Sequence, residues 1–325
     1  MRRPPGINVL FCHIVIAVLL FSLCVAGTAI AADQKKAGIS GTVRVSGAWA
    51  LYPMMVTWAE EFRKVYPGVR IGVSAGGAGK GITDALTGMV DIGMVSREIR
   101  PEEQKPGSTF IPVVKDAVFP TINANNPVQK TVAIKGIKKE TFNDLWVLGK
   151  PMTWGELAGT TTKKAVQVYT RSDSCGAAET WAHYLGKKQE DLKGVGVYGD
   201  PGLAEAVKKD VFGVGYNNLN YAYDAKTGLP VSGIQIIPID VNGNGKIDPK
   251  EDLGTKAKAI KAVTSGSYPS PPARDLYLIS RNNFNGLSKT FVKWILADGQ
   301  KYVDEVGYIK IAPKQLKESL KKLEK

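Results

Sequence analysis

The sequence predicts an α/β fold, either one large domain or two lobes with a core each, and three observations carry that expectation. Short apolar runs of strand character are followed, again and again, by segments of helical period. Polar, glycine-rich turns stand where one gives way to the other. The 325 residues, 44% hydrophobic and 22% charged, suffice to bury large cores and exclude a disordered or collagen-like chain.

The chain opens with Arg2 and Arg3, then runs from Gly6 to Ala32 without a single Asp, Glu, Lys or Arg. An apolar stretch at residues 14–25 and the small residues of Ala29-Ile30-Ala31 give residues 1–31 the form of an export signal cut after Ala31. Left uncut, the same run is long enough to anchor the protein in a bilayer. Cys12, Cys24 and His13 all lie in this segment, so the exported chain keeps Cys175 and His183 alone. An internal disulfide and a multi-histidine metal site are thereby excluded, and a histidine-based triad is left without support. The formal charge of +13 suits anionic ligands or surfaces, or a solvated lysine-rich exterior. No stripe of arginine and aromatic residues argues for nucleic acid.

Residues 41–46 read as the first strand. Met54, Trp58, Phe62 and Val65 then fall on one helical face, with Pro53 tolerable only in the first turn. A strand at 69–73, a glycine-rich entry into a helix ending near Leu86, and a strand at 90–94 follow, an alternation that predicts a parallel sheet. A strand pair is expected within 110–122, a helix at 140–146, and a strand at 165–169 running into Arg171 and a helix that carries Trp181 and Leu185. Further on come a helix at 202–210, strands at 212–216, 234–239 and 276–280, and closing helices at 287–296 and 313–323.

Three polar turns stand at these junctions: Ser46-Gly47-Ala48-Trp49, Ser96-Arg97, and Arg171 through Ser174, Cys175, Gly176 and Ala177. In open α/β sheets such turns gather at the carboxyl ends of strands, where ligands bind. Helix starts there present N–H groups and a positive dipole end to an oxyanion, and arginine adds a bidentate fork. Ordinary helix caps and surface arginines would use the same residues. The glycine-rich stretch is not a P-loop, because Lys80 precedes Gly81 rather than Ser or Thr, and Ser74 stands where the first glycine is needed.

The sharpest motif is the twelve-residue run from Asp240 to Glu251. Asp240, Asn242, Asn244 and Asp248 fill the side-chain oxygen positions of a calcium loop, Gly245 the obligatory turn, Lys246 the carbonyl position and Glu251 the last place. A structural Ca²⁺ is the expectation, with Ile247 packing inward; an Asn/Gly turn without metal is the alternative.

With these residues in place, the sequence resembles the phosphate-type periplasmic solute-binding proteins of ABC transporters. The resemblance covers most of the exported chain. It is carried in order by Ser46-Gly47-Ala48 before Trp58-Ala59-Glu60-Glu61-Phe62, Ser74 through Ile82, Asp91 through Arg97, Lys115-Asp116-Ala117-Val118, Trp154-Gly155-Glu156-Leu157, Gly213-Val214-Gly215-Tyr216, Tyr268-Pro269 with Leu276-Tyr277-Leu278, and Gly307-Tyr308-Ile309. It implies a two-lobed type II periplasmic-binding-protein fold, each lobe a mixed sheet flanked by helices, with the ligand cleft between. Lobe 1 would comprise 38–122 and 268–325, and lobe 2 residues 123–267. It further implies a monomeric, non-enzymatic protein that traps inorganic phosphate by hinge closure and delivers it to permease subunits. Ser46, Gly47 and Ala48 would offer the first helix end, Ser96 and Arg97 the second turn, Arg171 the grip, and Ser174, Cys175, Gly176 and Ala177 the third turn.

The chain departs from that family in having Cys175-Gly176-Ala177 where Ser-Gly-Thr is common, and Ala78 where a serine is. Each lost hydrogen bond to a charged ligand costs about 1.5–3 kcal/mol unless replaced. Either backbone donors compensate, or the ligand is another tetrahedral oxyanion such as sulfate, molybdate or tungstate, or the fold serves a secreted sensor or adhesion protein. A thiolate at Cys175 would repel an anion, whereas a buried inert thiol would not.

Overall fold

A computed structural model describes residues 38–324; the expected export signal lies outside them. Nine strands are assigned among these residues: β1 (Ser40–Gly47), β2 (Gly68–Ala75), β3 (Ile92–Val95), β4 (Thr109–Asn123), β5 (Gln167–Arg171), β6 (Val195–Val197), β7 (Gly213–Asn218), β8 (Ile234–Ile236) and β9 (Ala273–Ser280). Their order is β2-β1-β3-β9-β4-β7-β5-β6, with β8 also on β4.

Local sequence explains the first unit. Val43 and Val45 point inward from β1 while Arg44 faces solvent. The helix Tyr52–Val65, with Pro53 in its first turn, buries Met54, Trp58 and Phe62. Trp58 also fixes the far end of the chain, its indole N–H donating to Gly299 O at 2.9 Å. β1 pairs in parallel with β2 and β3.

Two corrections concern the sheet. The expected strand pair within 110–122 is one fifteen-residue strand, β4; Pro112, which cannot donate to the ladder, sits at a register shift instead of ending it. The parallel sheet expected from the alternation alone gives way to the mixed sheet that the resemblance implies, because β9 runs antiparallel to both β3 and β4, and β4 antiparallel to β7 and β8. The first half of β4 pairs with β9, from Thr109↔Ser280 to Ala117↔Ala273, and the second half with β7 and β8.

β4 thereby carries the chain from one hydrophobic core to another. The first core holds Val43, Trp58, Ile92, Val114, Leu276, Phe291 and Leu323. The second holds Ala117, Trp146, Trp181, Tyr216, Tyr223 and Ala273. The changeover falls between Val114 and Ala117 on β4 and between Leu276 and Ala273 on β9, inside the two crossing strands. In the second core Trp181 stacks on Tyr216 at 5.8 Å and meets Trp146 edge-on at 5.4 Å. The buried Tyr216 hydroxyl bonds Thr170 Oγ1 at 2.7 Å and accepts from Arg171 N–H at 3.3 Å, so aromatic packing fixes the end of β5.

Candidate functional site

The turn after β1 is set by close backbone approach. Gly47 has φ +132°, and a Cβ there would lie 2.3 Å from Met94 O and 2.7 Å from Gly81 Cα. Only glycine lets the helix Ala78–Thr87 lie across the ends of β1 and β3. Ala48 N–H donates to Met94 O at 2.9 Å, and Ser46 Oγ to Asp84 at 2.6 Å. Ser46 and Ala48 are thus committed to holding the turn. The orphan N–H groups belong to the first turn of the following helical segment, Trp49–Leu51 running into Tyr52–Val65.

The turns of the two cores meet across a narrow cleft. A Cβ on Gly77 would stand 2.4 Å from Ser174 O, one on Gly79 2.6 Å from Ser174 Oγ, and one on Gly176 2.2 Å from both Ser96 O and Ser96 Oγ. Trp49 reaches over as well: its ring packs edge-on against Tyr198 at 6.1 Å and touches Gly199. Ser96, Ser174 and Gly176 therefore meet at the contact between the cores, and Ser46, Gly47, Ala48, Cys175 and Ala177 lie in the turns that flank it. The second turn opens no helix, contrary to expectation; Ser96-Arg97 leads through extended chain to the short turn Pro101–Glu103.

Both expected arginines are occupied by carboxylates. Arg97 forks onto Glu103 at 2.6 and 2.7 Å and also donates to Glu98 O, which ties its guanidinium to its own loop. Arg171, whose side chain is fully buried, gives Nε and Nη2 to Asp173 at 2.7 and 2.6 Å and Nη1 to Asp200. Its charge is compensated twice over, so Arg171 fixes the third turn in place of presenting a free fork. Asp173 in turn accepts Gly199 N–H at 3.1 Å.

Cys175 caps the helix Gly176–Tyr184: its N–H donates to Gln189 Oε1 at 3.1 Å and its Sγ accepts from Ala178 N–H at 3.4 Å. Burial pushes the thiol pKa up. A neutral thiol does not repel an anion. At this cleft the arginines and the thiol are thus engaged in holding the turns, and the groups left over are backbone N–H groups of the helix starts. Against Arg97 and Arg274 lies a cavity of about 480 Å³, whose other walls include Arg100, Thr180, His183 and Lys187.

Asp84, Asp200, Asn218 and Arg274 are not singled out by the sequence. Asp200, in Gly199-Asp200-Pro201-Gly202 at the start of the helix Gly199–Lys209, has the signature of a helix-start acid and nothing more.

In the calcium-type loop the oxygen atoms are satisfied from within. Asp240 accepts N–H bonds from Asn244 and Gly245 at 3.1 and 2.9 Å, Glu251 from Val241 and Asp248 at 3.1 Å each, and Asp248 the side-chain amides of Asn242 and Asn244. Lys246 N–H bonds Asn244 Oδ1, and Ile247 packs on Gly136. Among the described residues no group of three or more His, Cys, Asp or Glu is placed to hold a metal ion.

The closeness of Gly176 to Ser96 gives a direct test of the cleft. Gly176→Ala sets a methyl group against Ser96 and is expected to weaken anion binding at least tenfold, ~1.4 kcal/mol or more. The melting temperature of anion-free protein should move little, since alanine is the better helix former. Titration calorimetry and thermal melts on the same preparation check both.

The chain matches the family description "PBP superfamily domain" over residues 32–299. Among its relatives, a phosphate-binding protein PstS of Pseudomonas aeruginosa is 27% identical over 315 residues, covering 89% of each chain. The PstS of Bacillus subtilis is 25% identical over 275 residues, covering 84% of this chain and 81% of its own. A solved putative phosphate ABC transporter substrate-binding protein from Clostridium perfringens superposes with a TM-score of 0.68 at 23% identity, covering 84% of this chain and all of its own. An α/β fold whose two cores share crossing strands, with polar turns facing across a cleft, and a family match over most of the chain agree: the protein belongs to the PBP superfamily of solute-binding proteins.

Proposed function

We propose that this chain is an exported solute-binding protein that captures a tetrahedral oxyanion, phosphate first, between its two lobes and passes it as a monomer to the permease of an ABC transporter. The observation that carries the proposal is the convergence of helix starts after β1, before Ala78 and before Gly176 on one cleft that joins two separate cores. The relatives named phosphate-binding protein PstS supply the ligand class. Lobe 1 is assigned to residues 38–122 and 268–325 and lobe 2 to 123–267, with the exchange of cores inside the crossing strands. Closure is a hinge motion about β4 and β9, and backbone N–H groups replace the water around the anion. Export rests on the N-terminal pattern of residues 1–31; among the described residues no helix is long and apolar enough to cross a membrane.

A second oxyanion is favoured by one specific feature, the missing hydroxyls at Cys175 and Ala177. Calorimetry on protein refolded free of bound anion separates the readings. One-to-one phosphate binding, with sulfate, molybdate and tungstate much weaker, is the expected result. Selective heat from one of the other three would reassign the ligand, and silence with all four would contradict oxyanion capture.

The loop from Asp240 to Glu251 is proposed to bind structural Ca²⁺. Asp240 and Glu251 are each only 3–4% exposed, and among the described residues neither has a lysine or arginine partner. Their negative charge is met only by N–H groups of the loop itself, and a bound cation would neutralise it. Calcium would be held by Asp240, Asn242, Asn244, the Lys246 carbonyl, Asp248 and Glu251 after the loop rearranges its internal bonds. Calcium is expected to raise the melting temperature of the wild type and to leave Glu251→Gln unchanged; identical wild-type melts in calcium and in chelator would contradict the site.

A further inference from the structure

An unbroken buried polar chain links the third turn to the crossing strands. It starts at Asp173 and Arg171, continues from Arg171 Nη1 to Asp200 Oδ1, and leaves Asp200 through Oδ2, which accepts from Asn218 Nδ2. Asn218 Oδ1 accepts from Arg274 Nη2. Arg274 lies 3.1 Å from Asp116 Oδ2 and gives its Nε to Ser96 O at 2.6 Å. Asp116 and Arg274 are register partners on β4 and β9 at the changeover between cores, and Asn218 pairs with Val118 just beyond it. Asp200, Asn218, Arg274, Asp116 and Ser96 are all more than nine-tenths buried.

We propose that Asn218 is a positioning residue that ties the Arg171–Asp173 turn to the hinge, so that seating Ser96 on Arg274 and ordering the third turn are one event. The argument is chemical. A side-chain amide carries a donor and an acceptor on one rigid plane, which is what joining a carboxylate to a guanidinium requires. An aspartate in its place would repel Asp200, and an apolar side chain would leave both charges short of a partner. Arg274 has little to spare: its Nη1 has no hydrogen-bond partner, so Ser96 O, Asn218 and Asp116 are what hold it. A buried charge that loses a partner destabilises the conformation that buries it. Here that conformation is the one in which Gly176 lies against Ser96 and the turns of the two cores meet. The inference rests on the oxyanion reading only in naming Arg171 through Ala177 as a ligand turn.

The test places spin labels at Met89→Cys and Leu148→Cys, which are exposed and belong to opposite lobes, while buried Cys175 stays unlabelled. Label distances are measured with and without phosphate in the parent, in Asn218→Ala, and in the near-isosteric Asn218→Leu should the alanine variant fold poorly. Phosphate dissociation is followed by stopped flow. The expected result is a distance distribution broader than the parent's in either variant, with or without phosphate. Dissociation should be at least tenfold faster and association within threefold. A purely structural asparagine would lower the melting temperature yet leave the distribution and the dissociation rate as in the parent, and that result overturns the proposal. Should the parent ignore phosphate, the ligand assignment fails by itself. The anion-free distributions still decide about Asn218: broader in the variants supports it, equal width overturns it.

Discussion

β4 and β9 are hydrogen-bonded to each other across the point where one hydrophobic core ends and the next begins, and the rest of the molecule depends on that pairing. Neither core contains the strands whole. Ile111, Val113 and Val114 belong to the first core and Ala117, Val118, Phe119 and Ile122 to the second, so a rotation of one lobe against the other would be absorbed within two or three residues of a continuous ladder. The pair that sits there, Asp116 and Arg274, is buried and charged. Burial pushes the Asp116 carboxyl up and pulls Arg274 down, and their mutual attraction opposes both shifts. A charged pair in that place cannot be solvated without opening the crossing, which favours a hinge that turns about the ladder and leaves it intact.

The ligand cleft follows from the same geometry. Turns at the ends of β1, β3 and β5 are brought face to face because their sheets are joined through β9 and β4. Glycines at 47, 77, 79 and 176 let backbone approach backbone. Arg171 is held between Asp173 and Asp200, so under the proposed reading the attraction for an anion would come from N–H dipoles, which act at short range and discriminate by shape. Loss of hydroxyls at Cys175 and Ala177 removes side-chain donors while leaving these dipoles in place. The neutral Cys175 thiol adds no repulsion.

Much of this was legible in the residues. The periodic burial of Met54, Trp58 and Phe62, the glycine-rich turn and the first and third polar junctions stand where pattern puts them, because local chemistry decides them. What escaped were properties of pairing at a distance. The residues within 110–122 read as a strand pair, and only the partner β9 shows one ladder running through. Arg97 and Arg171 looked free because Glu103 and Asp200 are identified as partners only in the folded chain. Asp240 through Glu251 had the composition of a metal loop, whereas the bonds within it are set by which carboxylates the fold buries.

Amide hydrogen exchange with and without phosphate tests the central claim most directly, because it reports on the N–H groups said to hold the anion. Phosphate should slow exchange at Trp49 and Ala50, at the start of the Ala78–Thr87 helix, and at Gly176 and Ala177 together, with matching protection along β4 and β9. Protection confined to the surface around Lys187 and Lys188, or absent from the two helix starts that face each other across the cleft, would contradict it.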